Sequence, residues 1–168
     1  DRQPVVRISF PEATLFAEWL TDQEILAGAI PASHVYRLPT EEEWLAMASG
    51  GLQHPYPWGQ EWPPAQGNFA DKSAQLLFQH WFVIESYDDS FPVTAPVEQS
   101  GLNAQGLHGM AGNAWELTTG QALGNFKSWK GGGWQDYEPG KLRMSFSYGS
   151  DGWKRDLCGG FRLVLAPR

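Results

Sequence analysis

The stretch Tyr36-Arg37-Leu38-Pro39-Thr40-Glu41-Glu42-Glu43-Trp44 reads as the entry to a helix. Thr40 can cap it, and Glu43, three residues on, can return a hydrogen bond to the cap's own N–H. Trp44, Leu45 and Ala48 supply one apolar face, and Gly50-Gly51 stops the segment. The same signature stands upstream. Ser9-Phe10-Pro11-Glu12 is a second capping box, with the proline tolerated in the first turn. Phe16, Trp19 and Leu20 follow at i, i+3, i+4 spacing, which predicts an apolar stripe, and Gly28 and Pro31 mark the end. Beyond residue 51 no long helical period survives. The apolar run 76–84 suits a short helix or a strand equally. Short strand-like pieces lie at 94–97, 114–118, 126–134, 141–148 and 160–165, with glycine-rich turns between them. The expectation is an α+β fold, two helices packed on a small, irregular, mostly antiparallel sheet.

The 168 residues suit one domain, 1–168, with enough chain to bury a core. A net charge of −7 argues against a phosphate-backbone binder, so no nucleic-acid partner is expected. With 42% hydrophobic and 18% charged residues the chain is not a disordered tail. No apolar run is long enough to insert in a membrane as a helix. One cysteine, Cys158, excludes an intrachain disulfide and a cysteine-cluster metal site. The 19 Gly and 12 Pro imply many turns, and the 9 Trp imply large rigid side chains filling gaps between loops or forming a stacking surface. The chain begins with Asp1 rather than Met and shows no signal-peptide pattern, which reads as a processing boundary. The compartment stays open between bacterial cytoplasm and cell surface, since an unpaired cysteine is compatible with either.

Catalytic signals are sparse. His34, His54, His80 and His108 fall in no HxH or HxxxH spacing. Cys158, between Leu157 and Gly159-Gly160, reads as a small core filler. No nucleophile elbow, P-loop or dinucleotide fingerprint occurs. The loop carboxylates say more. Tyr87-Asp88-Asp89-Ser90 and Gly67-Asn68-Phe69-Ala70-Asp71 put oxygen donors on turns, a pattern that suits Ca²⁺ and equally suits turn capping.

Further ordered motifs accompany Tyr36–Trp44. They are Tyr56-Pro57-Trp58-Gly59, Thr94-Ala95-Pro96-Val97, Gly106-Leu107-His108-Gly109-Met110-Ala111-Gly112-Asn113-Ala114-Trp115-Glu116, Gly131-Gly132-Gly133-Trp134 and Gly160-Phe161-Arg162-Leu163-Val164. Together they resemble the formylglycine-generating enzyme (sulfatase-modifying factor) family over residues 4–165. The resemblance implies a C-type-lectin-like fold and, by comparison with family members, further chain before Pro4. The family's oxidases use a pair of copper-binding cysteines. A single thiolate cannot supply that site, so the resemblance implies no copper and no oxidase chemistry here. The family's calcium site carries over to Asn68, Phe69, Asp89 and Phe91. A second family site would fall on Gly109, Gly112, Ala114 and Glu116, but Gly109 has no side chain to offer.

What remains for function is a loop surface. Gln135, Asp136, Tyr137, Ser147, Tyr148, Ser150, Asp151, Trp153 and Lys154 combine rigid aromatics with small polar residues, a mixture typical of adaptable binding surfaces. Trp134 reads as core. A subset of the family serves as variable proteins of diversity-generating retroelements, whose diversified window corresponds to 135–157 here. The leading expectation is a non-catalytic module binding a protein, small molecule or glycan, possible as part of a larger chain. The alternatives are a metal-dependent oxidase or oxygenase domain and a sensory or interaction domain of a bacterial kinase.

Overall fold

Helix α1 (Phe10–Leu26) begins with the expected capping box. The Ser9 N–H donates to Glu12 Oε2 at 3.0 Å and the Ser9 hydroxyl donates to the same oxygen at 2.6 Å. The computed structural model describes residues 2–121 and 126–168, so Asp1, read as a boundary, lies outside the described residues. The apolar stripe expected on α1 is corrected. Ala13, Ala17 and Thr21 are its buried face, while Phe16 and Trp19 are exposed. Small side chains at i, i+4, i+8 bring the helix close to strand β1 (His34–Arg37), where Thr21 Oγ1 accepts the Tyr36 N–H at 2.8 Å. The two displaced aromatics pack on each other, ring centroids 5.5 Å apart, and Phe16 meets Phe161 edge-on at 5.7 Å.

Helix α2 (Glu41–Ser49) follows its sequence reading closely. Thr40 Oγ1 accepts the Glu43 N–H at 3.1 Å, and Glu43 Oε2 accepts the Thr40 N–H at 2.8 Å. Arg37 grips both oxygens of Glu43, each at 2.7 Å. Trp44 and Ala48 face inward, and Gly50 ends the helix in the left-handed conformation at φ 61°. Helix α3 (Lys72–Leu77) is capped by Asp71, whose Oδ1 accepts the N–H groups of Ser73 and Ala74. The undecided run 76–84 is therefore split. Its first two residues end α3, a turn and an irregular stretch follow, Ile84 is buried and bridges to Asp71, and Leu76, Leu77 and Phe82 stay exposed.

Four strands form the main sheet: β2 (Trp115–Gln121), β3 (Lys127–Lys130), β4 (Tyr148–Ser150) and β5 (Gly159–Phe161), in the order β4-β3-β2-β5. The β2–β5 pair is parallel and the other two are antiparallel. β1 pairs antiparallel with β6 (Val164–Pro167) in a separate two-stranded ribbon. The α+β class stands, with three helices and two small sheets among the described residues. Segment 94–97 is no strand: a short 3-10 turn, Val97–Gln99, follows Pro96. Segment 141–148 is turn up to β4. Its alternation arises because Leu142 and Met144 fill two different core clusters, not because it pairs in a sheet. Segment 160–165 is interrupted at Arg162-Leu163 and serves both sheets.

Cys158 is buried beside Trp115, Leu117, Trp129 and Trp134, and burial pushes its thiol up to about 12.

The Glu43 carboxyl is held down at about 2, chiefly by Arg37 and then by the Thr40 N–H. A depressed acid stabilises the fold above its ordinary value of 4.5 and loses that contribution as pH falls toward 2. Glu43→Gln should therefore lower Tm at neutral pH and flatten the Tm decline over that acid range. Thr40→Ala should cost about 1 kcal/mol in denaturant unfolding.

Candidate binding cleft and metal loop

The turn leading into β2 is built around Asn113, a non-glycine residue at φ 67°. Its Oδ1 accepts from Asn68 Nδ2 at 3.1 Å and from the Ala95 N–H at 2.8 Å, and its Nδ2 donates to the Ala95 carbonyl at 3.2 Å. This one side chain fastens the loops at 67–71 and 94–97 to the sheet. Gly112 beside it has φ 74°, and a Cβ there would lie 2.1 Å from the Asn68 carbonyl, so the close approach requires glycine.

The four residues of the expected calcium site come together on these loops. Asp89 Oδ2 accepts the Phe69 N–H at 2.9 Å, and Asp89 Oδ1 accepts the Phe91 N–H at 2.8 Å. Asn68 Nδ2 also donates to the Val93 carbonyl at 2.8 Å, while its Oδ1 is buried with no hydrogen-bond partner. Burial raises the Asp89 carboxyl to about 7 despite the two amides that favour its charged form. Asn68 supplies an orphaned amide oxygen, and Asp89, bonded to the N–H of the next residue Phe69, supplies a desolvated carboxylate; each is a donor type that a hard cation accepts. Among the described residues no group of three or more His, Cys, Asp and Glu could hold a metal, so any cation here would depend on amide and carbonyl oxygens.

The second family site is closed by the chain itself. Glu116 Oε2 accepts from Trp44 Nε1 at 2.7 Å and from Arg162 Nε at 2.8 Å, and its Oε1 accepts from Arg162 Nη2 at 2.6 Å. Arg162 Nη2 also donates to the His108 carbonyl at 2.9 Å. An indole and a guanidinium thus answer both oxygens of this carboxylate within the chain.

A cleft of about 200 Å³ opens on the other side of β2. Trp115, Phe146 and Tyr148 form its aromatic wall, with both other rings centred 6.0 Å from Trp115. Gln135, Asp136, Lys141, Asp156 and Cys158 complete it. Asp136 Oδ2 accepts from Trp115 Nε1 at 2.8 Å and from the Gly133 N–H at 2.9 Å, and burial raises its carboxyl above the ordinary range. Lys141 turns aside to pair with Glu138. At the rim, Lys154 Nζ lies 2.7 Å from Asp156 and 4.7 Å from the centre of the Tyr148 ring, and it donates to the Tyr148 hydroxyl.

Of the residues expected on the binding surface, Gln135, Asp136 and Tyr148 line the cleft and Lys154 flanks it. Tyr137 stacks with Phe82 at 5.9 Å. Asp151 accepts the Trp153 N–H and is exposed, as is Trp153, at 77%. Ser147 bridges inward to Lys130 and Glu41, each at 3.2 Å. Ser150 is buried, its hydroxyl accepting Trp129 Nε1 at 2.8 Å, so it presents no surface. Phe146, Lys141 and Asp156, also inside the 135–157 window, line the cleft as well. Trp115 and Cys158 carried only motif and core signals.

The profile of the sulfatase-modifying factor enzyme 1-like domain matches residues 1–167. The chain belongs to this family. Within it, formylglycine-generating enzyme of Thermomonospora curvata is 39% identical over 114 residues, 67% of this chain and 32% of that protein. Inactive C-alpha-formylglycine-generating enzyme 2 of Bos taurus is 32% identical over 143 residues, 82% of this chain and 40% of that protein. The chain spans about a third of the length of the curated relatives it matches. In structure, Treponema denticola variable protein 1 covers 99% of this chain and 72% of its own at a TM-score of 0.69 with 20% identity. That likeness places the fold in the C-type-lectin-like class. No described helix is long and apolar enough to cross a membrane.

The Glu116–Arg162 interlock predicts a direction for mutation. Arg162→Met leaves a buried carboxylate without its cation and should cost about 3 kcal/mol in denaturant unfolding. Adding Glu116→Gln to that variant should recover part of the loss, because the orphaned charge is then gone.

Proposed function

We propose that this domain is a binding module that uses the Trp115–Tyr148 cleft and the exposed loop at Asp151 and Trp153 to hold a ligand, with a Ca²⁺ ion bracing the neighbouring loops. The observation that carries the reading is the cleft itself. It combines aromatic walls and carboxylates with a single thiol, Cys158, that burial keeps protonated. A lone thiol with its proton retained cannot form a two-thiolate copper(I) site. One curated relative is itself named inactive, which agrees with a family that keeps the scaffold without the oxidation. Sharing its fold with a protein named as variable supports the idea that the 135–157 loops are where members differ.

A fragment screen followed by ¹⁵N-resolved NMR tests the reading. Shifts should cluster on residues 135–156 and disappear in a Tyr148→Ala, Trp153→Ala double variant that keeps a dispersed spectrum. Stoichiometric copper(I) binding together with oxygen uptake on a cysteine peptide would instead establish an oxidase.

For the cation, Asn68, Asp89 and the carbonyls of Phe69 and Phe91 would be the ligands, and bound Ca²⁺ would neutralise the buried carboxylate and answer the orphaned Asn68 oxygen. Since a ligand of the native state stabilises that state, Ca²⁺ should raise Tm and a chelator should lower it. Asp89→Asn should abolish that response. A Tm indifferent to both additions removes the site.

A further inference from the structure

We infer that the cleft is a receptor for an organic cation, a primary ammonium or guanidinium group, held between the Trp115, Phe146 and Tyr148 rings and the carboxylates of Asp136 and Asp156. The inference rests on the binding reading above and adds the chemistry of the ligand.

The molecule already seats one such cation at the rim. The Lys154 ammonium sits over the Tyr148 ring at 4.7 Å while contacting Asp156 Oδ2 at 2.7 Å. An aromatic face and a carboxylate converging on one cation form a cation–π site with a counter-ion. Deeper in, no cation bonds the Asp136 carboxylate, although the Lys141 ammonium lies within Coulombic reach of it. Both donors to Asp136, the Trp115 indole and the Gly133 amide, reach Oδ2, and among the described residues none reaches Oδ1. Lys141, the one basic side chain in the lining, is turned to Glu138. Asp156 Oδ1 is taken by the Cys158 N–H at 2.9 Å, and among the described residues Lys154 alone holds Oδ2.

A ligand cation would therefore find an oxygen of Asp136 without a donor, three ring systems and a second carboxylate for which the half-exposed Lys154 competes. A neutral donor could hydrogen-bond the Asp136 oxygen but would leave its charge uncompensated, and an anion would meet two like charges. The net charge of −7 draws cations toward the surface and repels anions. The volume of about 200 Å³ admits a side-chain-sized headgroup rather than a large ligand.

The probes are n-butylammonium and ethylguanidinium, with n-butanol and propylurea as neutral counterparts. The Trp115 indole N–H resonance is the reporter, because that group donates to Asp136. The cations should shift it and bind at least tenfold more tightly than the neutral molecules, with affinity falling as salt is added. Lys154→Met should tighten binding about threefold by removing the competitor. Asp136→Asn and, independently, Tyr148→Leu should weaken it about tenfold. The second variant keeps the result decisive should the first fail to fold. Nα-acetyl-lysine methylamide separates the sources: binding as tight as butylammonium supports a lysine side chain of a partner, and binding of the free amine alone supports a small amine. Equal binding of cations and neutral counterparts overturns the cation inference while leaving the binding reading in place. If fragments bind the cleft and no cation does, the inference falls in the same way. If neither fragments nor cations bind, both readings fall.

Discussion

The buried carboxylate of Glu116 is the interaction on which the rest of the molecule depends. It sits on β2 and accepts from the Trp44 indole of α2 and the Arg162 guanidinium between β5 and β6. Three segments distant in sequence are thereby locked to one side chain. The arrangement is energetically demanding, because a carboxylate removed from water is tolerated only when its oxygens are answered. Arg162 adds a bond to the His108 carbonyl, which draws the turn before β2 into the same network. Asn113, a few residues along, repeats the device with an uncharged group and binds two further loops. A fold with so little regular structure needs such fastenings, since sheet and helix hydrogen bonds cannot order its long loops.

That frame leaves two loop regions to carry function. On one side Asn113 holds Asn68, whose amide oxygen is unpartnered, and the next residue, Phe69, donates its N–H to the desolvated Asp89 carboxylate. On the other side Trp115, the residue before Glu116, turns its indole to Asp136 and walls the cleft. The two regions are thus governed by neighbouring residues of one turn. A rigid scaffold presenting variable loops is a common arrangement for binding surfaces, because changes in the loops leave the core untouched. The buried state of Cys158 in the cleft wall fits this division: the residue contributes volume rather than reactivity.

Much of the fold was legible in short stretches. Both capping boxes announced their helices, because a Ser or Thr with a Glu three residues on satisfies local donors without reference to anything distant. The buried Cys158 and core Trp134 followed from composition and motif. The stripe on α1 did not. Phe16 and Trp19 have the right spacing, yet β1 approaches so closely that only Ala13, Ala17 and Thr21 fit beneath it. Strand β1 itself was silent because His34–Arg37 are all half-buried and show no alternation. Conversely, 141–148 alternated like a strand because Leu142 and Met144 each drop into a separate cluster under the loops. For the candidate site, the residue types were visible and their directions were not: Ser147 and Ser150 face inward, while Lys141, Phe146 and Asp156 face the cleft.

The sequence by itself determined the helix starts, the ordered motifs that name the family, the lack of a cysteine pair and the window in which a binding surface would lie. These depend on local hydrogen bonding, on residue identity and on counting, all of which survive without a third dimension. Tertiary structure alone decided which face of α1 is buried, that Glu116 is held by Trp44 and Arg162 rather than by backbone amides, and which members of the 135–157 window meet in one cleft. Those outcomes turn on contacts between residues that can lie 106 positions apart, and a side chain's direction there is set by what packs against it.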